Sequence, residues 1–165
     1  MRRLVALAFV MAALAAVSAR AADVGDRPAL SGKELSGRAF DLKNLQGKVV
    51  IVNFWATWCG PCRAEMPMLD KFYQEHKAQG LMLIGVSEDR DDKRDDVKSV
   101  MAPLHYPTAM IGDLDDDDFG RSNVLPVTYV VDAGGVLRTE FPPEDAPLTE
   151  AKLAAAILPL LSKTQ

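Results

Sequence analysis

The chain has only two cysteines, Cys59 and Cys62, and only two histidines, His76 and His105. Structural zinc needs four ligands, so with no second cysteine pair and both histidines isolated in sequence that class is set aside. Covalent haem attachment needs a histidine directly after the second cysteine, where this chain has Arg63. A helix needs roughly 20 apolar residues to cross a bilayer. The apolar run at residues 4–17 has 14, which argues against a permanent membrane anchor, and no cysteine follows it to accept the lipid of a lipoprotein. Excess positive charge is missing too: the formal net charge of −4 argues against a nucleic-acid partner. Internal repeats and low-complexity linkers are also absent.

The two cysteines stand three residues apart in Trp58-Cys59-Gly60-Pro61-Cys62, directly after Val-Val-Ile-Val-Asn-Phe at residues 49–54. A run that is apolar except for Asn53 predicts a buried strand, and Pro61 suits the first turn of a following helix. Cys59 then falls at the helix N-terminus, where unpaired N–H groups and the positive end of the macrodipole favour a thiolate. The i, i+3 spacing brings Cys62 within reach of a disulfide formed at Cys59. A plain structural cross-link is the bland alternative, but so short a loop removes little entropy from the unfolded chain. Residue types, spacing and placement agree on a redox dithiol.

Arg2 and Arg3, the apolar residues 4–17 and the small-residue ending Ala19-Arg20-Ala21 resemble a secretory signal peptide. Cleavage is placed first after Ala21, with nearby small residues as alternatives. The expected organisation is a signal peptide at 1–21 and one domain at 22–165. The paired arginines lack the surroundings of a twin-arginine signal, which leaves general secretion. Losing Arg2, Arg3 and Arg20 takes the net charge from −4 to −7. An exported chain whose only thiols form one reactive pair points to traffic in other proteins' disulfides. The periplasm is the expected compartment, because disulfides persist there.

Glycines at 32, 37 and 47 flank short apolar-containing pieces, which predicts a small hairpin between residues 29 and 47. After the strand at 48–54, a helix from Pro61 to about Gln79 ends at Gly80, with Met66, Leu69, Phe72 and Tyr73 on its apolar face. Residues 81–86 form a second buried strand, parallel to the first through a right-handed crossover. The charged residues 88–96 lead to a helix at 97–104 and a short extended segment at 108–111. Residues 127–131 and 136–141, joined by Asp132-Ala133-Gly134-Gly135, predict an antiparallel hairpin. Thr149 caps a last helix carrying Leu153, Ile157, Leu160 and Leu161, with Pro159 bending or ending it. The order predicts an α/β architecture, a mixed central sheet flanked by helices with an N-terminal hairpin extension.

The string Phe54-Trp55-Ala56-Thr57-Trp58-Cys59-Gly60-Pro61-Cys62, with Pro67 five residues on, resembles the thioredoxin superfamily. The fuller stretch 52–67, the glycine-marked extension, the long insertion before the last hairpin and the export signal resemble its TlpA-like, ResA-like group. That group comprises exported or membrane-tethered thiol-disulfide oxidoreductases acting as reductases. The resemblance runs from about Asp26 to the C-terminus and is sharpest in the active-site string and in Leu125-Pro126-Val127-Thr128.

The resemblance implies a thioredoxin-like fold and no cofactor beyond a redox-active Cys59–Cys62 disulfide. It also implies a cis Leu125–Pro126 bond facing the dithiol, where the Leu125 backbone can pair with an extended substrate peptide. Trp58 is expected to cover one side of the dithiol, and Trp55 to pack at the strand's end. Gly60-Pro61 equals the dipeptide of thioredoxin, whose potential is about −270 mV against about −120 mV for the oxidant DsbA, and this leans toward reduction. Asn53 stands where thioredoxin has a buried acid, so it cannot be the buried proton acceptor. Glu65, one turn beyond Cys62, matches an acid placed near the thiols in ResA-like proteins. Two readings of it stay open: proton exchange with Cys62 or tuning of its pKa, and a solvated helix glutamate.

By resemblance, the Cys59 thiolate attacks an accessible disulfide of an exported protein and Cys62 resolves the mixed disulfide. A membrane thiol transporter of the DsbD or CcdA type then restores the dithiol. Apocytochrome c, in cytochrome c biogenesis, is the first substrate the resemblance suggests, with a copper-site assembly factor or another exported target open. A dithiol oxidase or isomerase ranks second, and a module holding copper or haem iron third. A peroxide-reducing redoxin would need a peroxidatic cysteine in its own activating loop.

The acidic run Asp113, Asp115, Asp116, Asp117, Asp118 begins with calcium-loop spacing. It has Asp118 where an EF-hand needs glycine and Val124 where it needs glutamate, so no metal site is expected. A solvated loop and helix start is expected there, and a solvent face at residues 89–96.

Overall fold

In the computed structural model, which describes residues 21–120, 124–145 and 147–161, the elements are β1 (Leu30–Glu34), β2 (Ala39–Asp41), β3 (Val49–Trp55), α1 (Gly60–His76), β4 (Leu81–Ser87), α2 (Arg94–Met101), β5 (Thr108–Asp117), β6 (Val127–Val131), β7 (Leu137–Phe141) and α3 (Glu150–Leu161). The expected signal peptide lies outside the described residues, apart from Ala21. The strands make one mixed sheet ordered β2-β1-β5-β4-β3-β6-β7. β3, β4 and β5 pair in parallel, while β6 and β7 on one side and β1 and β2 on the other are antiparallel.

Alternation along the unbroken apolar strands serves two cores at once. Val49, Ile51 and Trp55 of β3, with Leu81 and Leu83 of β4, pack against Met66, Leu69 and Phe72 of α1, Val97 and Met101 of α2, and Leu153 and Ile157 of α3. The intervening Val50, Val52 and Phe54, with Ile84 and Val86, face Leu30, Leu42, Phe119, Tyr129 and Leu137 instead. All three helices thus occupy one face. Crossovers of one hand that step in one direction across the sheet place α1 and α2 on the same side.

Most local expectations match. α1 passes through one 3-10 turn, Lys77–Gln79, and stops at Gly80 in the left-handed region (φ 95°). Thr149 Oγ1 accepts the N–H of Lys152 at 3.3 Å, the expected cap of α3.

Several boundaries differ. α2 begins at Arg94 and ends at Met101, three residues earlier at each end than the apolar pattern alone suggests. The charged first turn is helical because Arg94 is held by Asp113 at 2.7 and 2.8 Å. α3 continues through Pro159 to Leu161, which is buried against the first core.

The largest correction concerns the acidic run. Residues 113–117 are neither loop nor helix start, but the second half of a ten-residue strand. β1 supplies the reason, since Leu30, Ser31 and Gly32 pair with Asp117, Asp116 and Leu114. Three of the carboxylates have partners across the fold: Asp113 meets Arg94, Asp116 accepts the Ser31 hydroxyl, and Asp118 accepts the N–H of Ala29.

The same pairing explains Gly32. A Cβ there would lie 2.5 Å from the Asp113 carbonyl oxygen and 2.8 Å from Leu114 Cα, both backbone atoms that cannot step aside alone. Gly32→Ala is therefore expected to cost about 1–3 kcal/mol of stability. Chemical denaturation checks this, and an unchanged midpoint would mean that β1 can move off β5 freely.

Candidate active site

β3 delivers the chain to the site. After Trp55 the backbone turns, with the Cys59 N–H donating to the Ala56 carbonyl at 3.1 Å, and α1 begins. Cys59 is the N-cap of α1, extended at φ −83° and ψ 101°, and its Sγ accepts the N–H of Cys62 at 3.2 Å. Pro61 costs nothing in the first turn, where its missing N–H would have no intrahelical partner. Cys59 and Cys62 form a disulfide with Cα atoms 5.3 Å apart. An N-cap sulfur receiving a backbone N–H is where a thiolate is favoured once that bond is reduced.

Both cysteines are nearly covered. Cys59 is 5% exposed and Cys62 2%, whereas the neighbouring Trp58 is 71% exposed. Its indole is thus largely open to solvent, beside a nearly covered disulfide. Leu125 packs against the cluster that contains both cysteines. The Leu125–Pro126 bond is cis, as the resemblance implies, and the next residue, Val127, pairs with Phe54 near the end of β3.

Asn53 and Glu65 are both buried. Asn53 Nδ2 donates to Thr128 Oγ1 at 2.9 Å, which ties β3 to β6 through side chains. Glu65 is not the solvated glutamate of the blander reading: its Oε1 accepts the N–H of Leu148 at 2.6 Å, fastening α1 to the segment before α3. Neither Asn53 Oδ1 nor Glu65 Oε2 has a hydrogen-bond partner among the described residues.

Burial pushes the Glu65 carboxyl's pKa up, and the Leu148 N–H, which favours the charged form, offsets part of that rise. An acid whose pKa rises on folding contributes stability below its unfolded value, and that contribution is lost as pH rises through the folded value. Glu65→Gln keeps an acceptor for Leu148 and cannot ionise. It is expected to gain stability relative to the wild type as pH rises above the ordinary value of 4.5. Parallel stability curves for the two proteins across that window would rule this out.

One carboxylate was misplaced from sequence. Asp89, in the stretch expected to form a solvent face, is 3% exposed. It accepts the Thr57 N–H at 2.8 Å, the Thr57 hydroxyl at 2.6 Å and the Ser87 hydroxyl at 2.7 Å. The available signal was the alternation of β4 carried past its end, which puts residues 87 and 89 on one side. The surrounding charges hid it.

A mixed sheet carrying a Cys-x-x-Cys disulfide at the start of α1 defines a thioredoxin-like protein. Solved structures agree. A thiol:disulfide interchange protein of the thioredoxin family from Chlorobium tepidum TLS superposes with a TM-score of 0.69 at 25% identity, covering 85% of this chain and 98% of that one. A secreted thiol-disulfide isomerase from Corynebacterium glutamicum gives 0.69 at 26% identity, covering 83% and 86%.

The chain belongs to the AhpC/TSA family, whose model matches residues 24–140. It is similar to the thiol-disulfide oxidoreductase ResA of Bacillus thuringiensis (strain Al Hakam), 35% identical over 106 residues that cover 62% of this chain and 59% of the relative. The thioredoxin-like protein YneN of Bacillus subtilis (strain 168) is 35% identical over 116 residues, covering 67% and 66%. The chain thus spans less than two thirds of the length of these curated relatives.

Proposed function

We propose that the chain is an exported thiol-disulfide reductase that acts on disulfides of extracytoplasmic proteins. The observation that carries this reading is the Cys59 sulfur at the N-cap of α1, receiving the Cys62 N–H beside the exposed Trp58. The reduced Cys59 thiolate attacks one sulfur of a substrate disulfide, joining to it and releasing the other as a thiolate. Cys62 gives up its proton and attacks the Cys59 sulfur. That step forms the Cys59–Cys62 disulfide and frees the second substrate thiol. Two electrons and the Cys62 proton pass to the substrate, whose first-released thiolate takes its proton from solvent, and an external dithiol must return the electrons. A membrane thiol transporter of the DsbD or CcdA type fits that need in an oxidising compartment.

Export rests on the leader-like residues 1–21, and a secreted relative supports it. Apocytochrome c is the first substrate to test. A dithiol isomerase or oxidase is the second reading, favoured by the isomerase description of the Corynebacterium glutamicum relative.

Insulin reduction, measured beside peroxide turnover and equilibration with glutathione, tests the proposal. The expected result is insulin reduction without rapid peroxide turnover, at a potential nearer about −270 mV than about −120 mV. A potential near the latter value with no insulin reduction would overturn it in favour of an oxidase.

A further inference from the structure

We infer that Asp89 is a positioning residue for the dithiol: acting through Thr57, it holds the loop that presents Cys59 as the N-cap of α1. The inference rests on the proposed role of Cys59 as the attacking thiolate. Residues 88–96 are all charged, and Arg90, Asp91 and Asp92 are exposed, yet Asp89 is buried. Burying a carboxylate is costly unless its oxygens are satisfied. Here both are, with Oδ2 accepting the Thr57 N–H and the Ser87 hydroxyl, and Oδ1 accepting the Thr57 hydroxyl.

None of these donors is a cation. Two of the three bonds come from Thr57, which lies 32 residues earlier in the chain. Thr57 stands two positions before Cys59, so the carboxylate grips the loop almost at the reactive sulfur. A second tie secures the same loop where it leaves β3: the Glu88 N–H donates to the Trp55 carbonyl at 2.8 Å. Following on from these anchors, the turn closed by the Cys59 N–H and the Ala56 carbonyl leads into the extended backbone of Cys59.

That backbone aims Sγ at the Cys62 N–H. A thiolate gains more from such a donor than a disulfide sulfur does, because a charge-assisted hydrogen bond is stronger. Holding the loop therefore stabilises the reduced protein more than the oxidised one. Releasing it is expected to draw the exchange of protein dithiol and oxidised glutathione, giving protein disulfide and two reduced glutathiones, toward protein disulfide.

The charge of Asp89 acts in the opposite sense, since an anion near the loop disfavours a thiolate. Substitutions separate the two effects. Thr57→Val leaves the carboxylate and removes one tether, Thr57→Ser keeps both tethers, and Asp89→Asn removes the charge and mismatches one donor. Gly32→Ala destabilises the far edge of the sheet and serves as the control for general loss of stability.

In glutathione equilibria, Thr57→Val and Asp89→Asn are both expected to shift about three- to tenfold toward the disulfide, the scale of one ordinary hydrogen bond. Alkylation of reduced Cys59 by iodoacetamide at neutral pH should slow in both. Thr57→Ser and Gly32→Ala should keep the wild-type values. An unmoved Thr57→Val together with an Asp89→Asn shift toward the dithiol would overturn positioning in favour of charge. An equal shift in Gly32→Ala would reduce the effect to general destabilisation.

If wild-type Cys59 alkylates like an ordinary thiol, the proposed attacking role falls and this inference falls with it. A reactive wild type whose variants do not differ from it overturns the inference alone. Should Asp89→Asn fail to fold, the contrast of Thr57→Val with Thr57→Ser decides the outcome.

Discussion

Cys62→Ser is expected to accumulate a mixed disulfide between Cys59 and its substrates, while Cys59→Ser forms none and loses insulin reduction by about 10⁴-fold or more, as for removal of a nucleophile. The asymmetry follows from position. Cys59 caps α1 next to the exposed Trp58, whereas Cys62 lies inside the first turn on its buried face. The N-cap position favours a thiolate at Cys59, so in the proposed roles it is Cys59 that attacks an incoming disulfide. Without Cys62 the covalent complex has no internal nucleophile to release it, so it persists until an outside thiol intervenes.

Non-reducing electrophoresis with mass spectrometry of the trapped species reads the outcome and names the clients at the same time. Recovery of apocytochrome c would support the first candidate, and other exported proteins would redirect the assignment. Trapping through Cys62 in Cys59→Ser, with none in Cys62→Ser, would reverse the assigned roles. Retained insulin reduction in Cys59→Ser would refute the nucleophile outright.

Trp55→Ala is expected to cost about 3–5 kcal/mol, the usual penalty for truncating a large buried aromatic. This is a large share of the total stability of roughly 5–15 kcal/mol typical of a domain. Trp55 is fully buried at the end of β3, among the largest side chains in the core. Its neighbours are shaped around it: a Cβ added at Gly85 would lie 3.3 Å from Trp55 Nε1 and 3.2 Å from Tyr106 Cε2. A small side chain at position 55 leaves a cavity that the strand backbone cannot close, because β3 is paired on both sides.

The indole N–H has no hydrogen-bond partner among the described residues, so Trp55→Phe sheds an unsatisfied donor along with part of the volume. It is expected to cost less than half as much as the alanine substitution. Urea denaturation monitored by circular dichroism distinguishes the two. A Trp55→Ala cost below about 1 kcal/mol would mean the site collapses around the loss.

The sequence by itself determined the dithiol, the strand and helix that carry it, and the element order of a mixed α/β sheet. Those features are local: a run of residues 49–54 that is apolar except for Asn53, a proline at position 61 that suits a first turn, a glycine that ends α1 at position 80, and two cysteines one turn apart. Each acts within a few residues through backbone geometry or periodicity, so a one-dimensional reading suffices.

The tertiary structure alone decided the rest. The acidic residues 113–117 became a strand because β1, some eighty positions earlier, pairs with them. Glu65 and Leu148 lie 83 positions apart and meet because α1 and α3 share one face of the sheet. Asp89 looked solvated within its charged run, yet the parallel pairing of β3 and β4 carries both strand ends to one place, where Thr57 supplies the donors that its buried carboxylate requires. Burial and partnership of polar groups depend on which strands become neighbours, and that is a property of the whole chain rather than of any window within it.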